Sequence, residues 1–276
     1  MNFNGKIYNS LTRVSLFLIL IVQLSCEDVI ELEIDSANQR LVINAQISDK
    51  TNPEVMINKS TNFFDPISNP PISKAEVNIS DELGNKWILQ ESIDKPGCYI
   101  NNNFKAKPGL FYHLDVKAEN EIITAKAFMP KPVELDSISV LIEKDIFSDS
   151  LLPKLHAYWV DPKGTDNYYR IMLYYDDELQ TGIYLFDSKV SDGASIDYTS
   201  FPKLDQKELP NKISVHLWCI SKEVFLYYKT LEEALTDGAS SSSAPYNPET
   251  NLLGNALGVF APHSCSHTEI LVKGMP

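Results

Sequence analysis

Basic residues are scarce in this chain, with 24 Lys and Arg against 37 Asp and Glu among 276 residues and a formal net charge of −13. Lys6 and Arg13 stand before position 26 without an acid beside them, so from Cys26 onward 22 basic groups face 37 acidic ones, a charge of −15. This balance speaks against nucleic acid as a partner, because binding there depends on neutralising phosphates with Lys and Arg. It also speaks against adsorption to anionic headgroups without an anchor. Signatures of catalysis are missing too. The chain has no Gly-Lys-Ser/Thr phosphate loop, no Gly-x-Ser-x-Gly elbow, no His-Glu-x-x-His helix and no EF-hand loop. The acid clusters Asp145/Asp149 and Asp176/Asp177/Glu178 lack calcium-loop spacing and read as solvated turns. Cysteine is sparse, at four residues.

What is present begins at the N-terminus. Lys6 and Arg13 form a basic region, and Val14 to Leu24 is nearly all apolar. That run is the length of an export signal and shorter than the roughly 20 apolar residues a membrane-spanning helix needs. It stops at Ser25-Cys26-Glu27-Asp28. A small residue before a cysteine at this place resembles a lipobox, where the thiol is diacylated and the chain is cut before it. Residues 1–25 are therefore expected to be a lipoprotein signal peptide, Cys26 the lipidation site carrying palmitate-type chains, and 26–38 an acidic tether. Gln23 and Leu24 depart from the usual lipobox. Each buried methylene contributes about 0.8 kcal/mol, so several acyl chains anchor a protein stably.

From residue 39 the pattern is that of strands. Leu41, Ile43, Ala45 and Ile47 alternate with polar neighbours, and so do Val77 and Ile79, Tyr112, Leu114 and Val116, and Ile123, Ala125 and Ala127. Period-two alternation between turn clusters marks half-buried antiparallel strands. Pro96-Gly97 and Pro108-Gly109 punctuate them. Residues 39–130 are expected to form an N-terminal β-sandwich of immunoglobulin or prealbumin-like size. Pro130-Lys131-Pro132 reads as a hinge or linker.

Alternation resumes at Ile138, at Leu155 to Trp159, at Tyr169 to Tyr175 and at Ile213 to Cys219, with a dense turn over Asp161–Asn167. One helix is expected over 221–237, with Ser221 as its cap, Val224, Tyr228, Leu231 and Leu235 on one face, and Gly238 ending it. The fold class is thus mainly β, two tandem β-sandwich domains, the second (136–276) with one inserted α-helix.

No metal site or cofactor is expected. The nearest approach to one is His263, Cys265 and His267, which share a face of any strand they lie on and offer donors suited to zinc or copper. Same-face neighbours on one strand are roughly 7 Å apart, wide for three ligands on one ion. With Cys26 lipidated, Cys98, Cys219 and Cys265 allow at most one internal disulfide. Cys219 and Cys265, both on strands of the second half, are the candidate pair; three free thiols are the alternative.

Several pieces recur in one order: Cys26 to Leu32, Arg40 to Ile43, Pro96-Gly97-x-Tyr99, Pro108-Gly109-x-x-Tyr112, Asp161-Pro162 to Ile171, Ser221 to Glu232, and Gly254 to Phe260. Together they resemble the Bacteroidota outer-membrane lipoproteins of domain-of-unknown-function family 4249. The tract His263-Ser264-Cys265-Ser266-His267 departs from that pattern. Members of the family are encoded beside TonB-dependent receptors, so the resemblance implies a non-enzymatic accessory or ligand-binding partner of such a transporter in nutrient uptake. Its ligand would be a small molecule or glycan, and its place the outer membrane. The acidic residues after Cys26 resemble a signal for display on the cell surface. The alternative is an autonomous extracellular enzyme or a metal-dependent binding protein.

Overall fold

The computed structural model describes residues 39–61, 69–144, 151–200, 210–240 and 246–272, all within the unit Asn38–Pro276. Cys26, the expected signal and the expected tether lie outside the described residues. In the first half, the strands are β1 (Leu41–Ser48), β2 (Glu54–Lys59), β3 (Glu76–Asp81), β4 (Lys86–Glu91), β5 (Cys98–Ile100), β6 (Phe111–Ala118) and β7 (Glu121–Phe128). β1, β2 and β5 lie side by side, as do β3, β6 and β7, and β4 bonds to both β5 and β3. The alternation in sequence becomes a division of faces. Along β6, Tyr112, Leu114, Val116 and Ala118 are buried while their neighbours are exposed or half-buried. Ile43, Ile47, Val55 and Ile57 meet Val77, Ile79, Leu114 and Ile123 in a single core. Removing that apolar surface from water supplies the drive, at about 25 cal/mol per Å².

The second half contains β8 (Leu135–Lys144), β9 (Leu151–Val160), β10 (Tyr168–Tyr175), β11 (Glu178–Leu179), β12 (Tyr184–Asp187), β13 (Ser195–Ser200), β14 (Lys212–Ile220), α1 (Lys222–Ser240), β15 (Leu252–Leu253) and β16 (Ala256–Leu271). β13, β9 and β8 form a separate three-stranded sheet. Its Leu155, Ala157 and Trp159 pack on Tyr169, Ile171, Leu173, Val215 and Leu217 of β10 and β14. α1 covers the other face of β10 and β14, where Val224, Phe225 and Tyr228 meet Met172, Trp218 and Ile220. The architecture is mainly β and sandwich-like with one helix among the described residues, as the alternation implied.

Two local expectations are corrected. α1 runs through Gly238 to Ser240 instead of ending at the glycine. Ser221 does occupy the cap position, its carbonyl accepting from the Phe225 N–H at 2.9 Å, but its hydroxyl finds no partner. Among the described residues no helix is long and apolar enough to cross a membrane.

β16 joins the halves. Its first part pairs in parallel with β1, from Leu41↔Ala256 to Ser48↔His263. Its second part pairs antiparallel with β14, from Ile220↔His263 to Lys212↔Leu271. The exchange of partners falls next to Pro262, which has no N–H to donate. Leu252, Ala256 and Phe260 complete the first core from beyond the boundary expected near residues 130–136. Gly258 makes the parallel pairing possible: with φ of +107°, an added Cβ would sit 2.0 Å from the Ile43 carbonyl oxygen.

Candidate functional site

A cleft of about 750 Å³ opens where the end of the β6–β7 hairpin faces the start of α1. One wall is aromatic. Phe111 and Phe128 are cross-strand partners with ring centroids 5.1 Å apart, and the Lys126 ammonium lies 4.7 Å above the Phe111 ring. Pro130, Lys131, Pro132 and Val133 form the floor, Pro162 with Thr165 to Tyr168 a second wall, and Ile220 to Glu223 a third. Lys131, Lys222, Asp166 and Glu223 place mixed charge at the edges.

Pro130-Lys131-Pro132 of the floor was expected to be a hinge or linker; the chain is held immediately past it, at Val133 and Leu135. Val133 donates its N–H to Cys219 Sγ at 3.3 Å. Ser266 Oγ donates to the Val133 carbonyl at 2.6 Å and accepts from the Leu135 N–H at 3.0 Å. Backbone polar groups that leave water need such partners, and here two strands of the second half supply them. The chain is clamped at Val133 and Leu135. Proline's fixed φ then stiffens the cleft further.

Asp161 positions the second wall. It is 1% exposed, accepts from the Tyr169 hydroxyl at 2.5 Å, and accepts from Asn167 Nδ2 at 3.2 Å and from the Gly193 N–H at 3.4 Å. Burial and the adjacent carboxylate push the Tyr169 phenol far above its ordinary value, so it stays a donor. Asn167 in turn donates its N–H to Ser188 Oγ at 2.9 Å. The dense turn seen in sequence is thus built around a buried carboxylate.

Chemically the cleft suits binding. Among the described residues lining it there is no histidine to serve as a base for Cys219 or Ser221. Burial pushes the Cys219 thiol up to about 11, away from the reactive thiolate. Aromatic and proline walls with a few polar groups are what partner and ligand sites commonly present.

The residues singled out in sequence fall elsewhere. The expected Cys219–Cys265 disulfide does not form: Cys98, Cys219 and Cys265 are free and buried. Register explains why. Cys265 lies opposite Trp218, one place from Cys219, so the two thiols point to opposite faces, Cys219 into the sheet–sheet core and Cys265 toward the helix side. A one-residue offset in a ladder reverses the face. His263 is buried and stacked on Trp218, centroids 3.7 Å apart, with burial driving it down to about 4. His267 is exposed. The three do share a face, as their spacing required, yet His263 is held away in the stack. Among the described residues no group of three His, Cys, Asp or Glu is arranged to hold a metal ion. Sequence reasoning missed Phe111, Phe128 and Ile220 as neighbours; only the fold brings residues 109–133 beside 219–223.

A family model described as Domain of unknown function (DUF4249) matches residues 27–268. Comparison with curated proteins finds no match.

Proposed function

We propose, from the premise that the chain belongs to the DUF4249 family, that it is a lipid-anchored outer-membrane protein, facing the exterior, that serves a TonB-dependent receptor as a non-enzymatic partner. The observation that carries the reading is the 750 Å³ cleft with its aromatic wall and a floor held by Cys219 and Ser266. Rigid walls suit recognition, because little ordering entropy is lost on contact. The basic and apolar N-terminus ending at Cys26 supports the anchor. Tethering beside a receptor raises effective concentration, so an interface near the low end, about 1,000 Å², suffices.

Affinity capture of the tagged chain from native membranes in mild detergent tests this. A TonB-dependent receptor is expected in the eluate of the wild type and absent with Phe128→Asp, which puts a charge on the aromatic wall. Recovery of no such receptor, together with turnover of a defined substrate by the purified chain, would overturn it.

A further inference from the structure

α1 starts on a wall of the cleft with its cap left open. Ser221 holds the position before the helix (Lys222–Ser240), where a hydroxyl ordinarily accepts from an N–H of the first turn. Its carbonyl is engaged, 2.9 Å from the Phe225 N–H, but its Oγ is buried without a hydrogen-bond partner. The residue is 7% exposed and lines the cleft. Lys222 and Glu223 follow it along the same wall, and their N–H groups have no acceptor among the described residues. First-turn donors aligned with the helix dipole carry a partial positive charge. Two independent observations therefore meet at one place: the free end of a long helix, and a buried hydroxyl without the bond that burial demands. The side chains around them do not set the sign of the charge they would accept, because exposed Lys131 and Lys222 are balanced by exposed Asp166 and Glu223. The fixed donors decide it, in favour of an anion.

We propose that the start of α1 is a seat for a carboxylate, carried by an acidic residue of a protein segment whose neighbouring aromatic or aliphatic side chain lies against Phe111 and Phe128. This rests on the reading of the cleft as the recognition site and adds the chemistry that it recognises. An ionised carboxylate only accepts, and its two oxygens can take the Ser221 O–H and a first-turn N–H together. Such charge-assisted bonds are shorter and stronger than neutral ones. The aromatic wall takes the apolar part of the same segment. A bare anion would leave that wall uncovered, which is why the occupant is a segment with both features. Lys131 and Lys222 add an attraction that solvent screens.

The test uses the full chain carrying Cys26→Ser and two capped dipeptides, acetyl-phenylalanyl-glutamate amide and its glutamine counterpart, titrated at neutral pH. Binding is read by calorimetry and by two-dimensional NMR of the backbone amides. The glutamate peptide is expected to saturate with a dissociation constant below about 10 mM. It should bind at least about 5-fold more tightly than the glutamine peptide, the difference between charge-assisted and neutral hydrogen bonds. The Lys222 and Glu223 amides should move with the glutamate peptide and hold still with the other. Ser221→Ala deletes a hydroxyl that has no partner in the fold, so the thermal midpoint should stay while the preference falls to about 2-fold or less. Lys86→Gln, on β4, should alter nothing. Equal affinities for the two peptides would overturn the seat. So would a preference undiminished in Ser221→Ala, or acetate alone moving the same amides at the concentration that saturates with peptide. A TonB-dependent receptor captured while the peptides bind equally leaves the receptor reading standing and removes the seat; a glutamate preference with no receptor captured supports the seat and removes the receptor.

Discussion

The two halves of this molecule bury their residues in different ways. Strands of the first half keep one face wet: β6 alternates regularly, and among the described residues of 41–129 the buried polar ones are Ser48 and Asp81. In the second half, β10 and β14 are buried on both faces, with runs of consecutive buried residues. Asp161, Ser188, Ser200, Ser214, Ser221, His263, Ser264 and Ser266 are buried there with them. The difference follows from layers. The first core lies between the β1–β2–β5 and β3–β6–β7 arms of one continuous sheet that turns at β4, whereas β10 and β14 are sandwiched between the β13–β9–β8 sheet and a helix. The polar groups buried around those doubly covered strands, on β16 and in adjoining turns, make the clamps and the stack: Asp161 with Tyr169, Ser266 with Val133, and His263 on Trp218.

The sharpest way to break this contrast is to attack the strand both halves share. Gly258→Ala drives a methyl into the Ile43 carbonyl, and a loss above about 4 kcal/mol is expected, the range of backbone clashes with no room to relax. Trp87 reports the first half and Trp159 and Trp218 the second. Denaturant unfolding followed by fluorescence should show one lowered transition, and two separated transitions would mean that β16 does not couple the halves.

A smaller effect compares one buried carboxylate from each half. Asp161→Ala strands the Tyr169 hydroxyl in the core and should cost about 3 kcal/mol, the upper part of the range for leaving a buried polar group unpaired. Asp81→Ala removes acceptors for the Leu83 and Asn85 N–H groups at a hairpin turn. Water can reach exposed Leu83 and Asn85, so about 1 kcal/mol is expected. Equal losses in chemical denaturation would remove the distinction.

Acid should select the second half. His263 is held near 4 by burial, below its ordinary 6.5, so the unfolded chain binds the extra proton between those values. Stability contributed by neutral His263 is full above pH 6.5 and declines as pH falls toward 4, by about 3 kcal/mol in total. His216, also lowered, acts in the same direction. His263→Phe, which keeps the stack on Trp218, should flatten the pH dependence of the denaturation midpoint across that window; an unchanged slope would refute the assignment.

A milder change loosens a clamp. Ser266→Ala deletes the hydroxyl shared by the Val133 carbonyl and the Leu135 N–H, for about 1–2 kcal/mol. Limited proteolysis should then cut near residues 130–135 faster than in the wild type.

Legibility in the sequence tracked the same contrast. Where one face is wet, Leu41 to Ile47 and Tyr112 to Val116 announce strands directly, and Val224, Tyr228 and Leu231 announce the helix. β10 was legible as a strand from Tyr169, Ile171 and Leu173, but its second buried face was not, because Tyr168 and Met172 are covered only once α1 packs on them. Of the candidate site, the Asp161–Asn167 turn was visible and its buried carboxylate was not, since burial of an acid depends on donors such as Tyr169 and Gly193 that come from other parts of the fold.

By itself the sequence determined the local periods: which residues alternate, where one helix begins, and that His263, Cys265 and His267 share a side. Periodicity is a property of neighbours along the chain. Only the tertiary structure decided which strands meet: β16 between β1 and β14, Cys219 one register step from bridging Cys265, His216 opposite His267, and Phe111 across a cleft from Ile220. Those choices rest on register and layer order, which are settled when distant segments compete to bury their apolar faces, and no local pattern records the outcome of that competition.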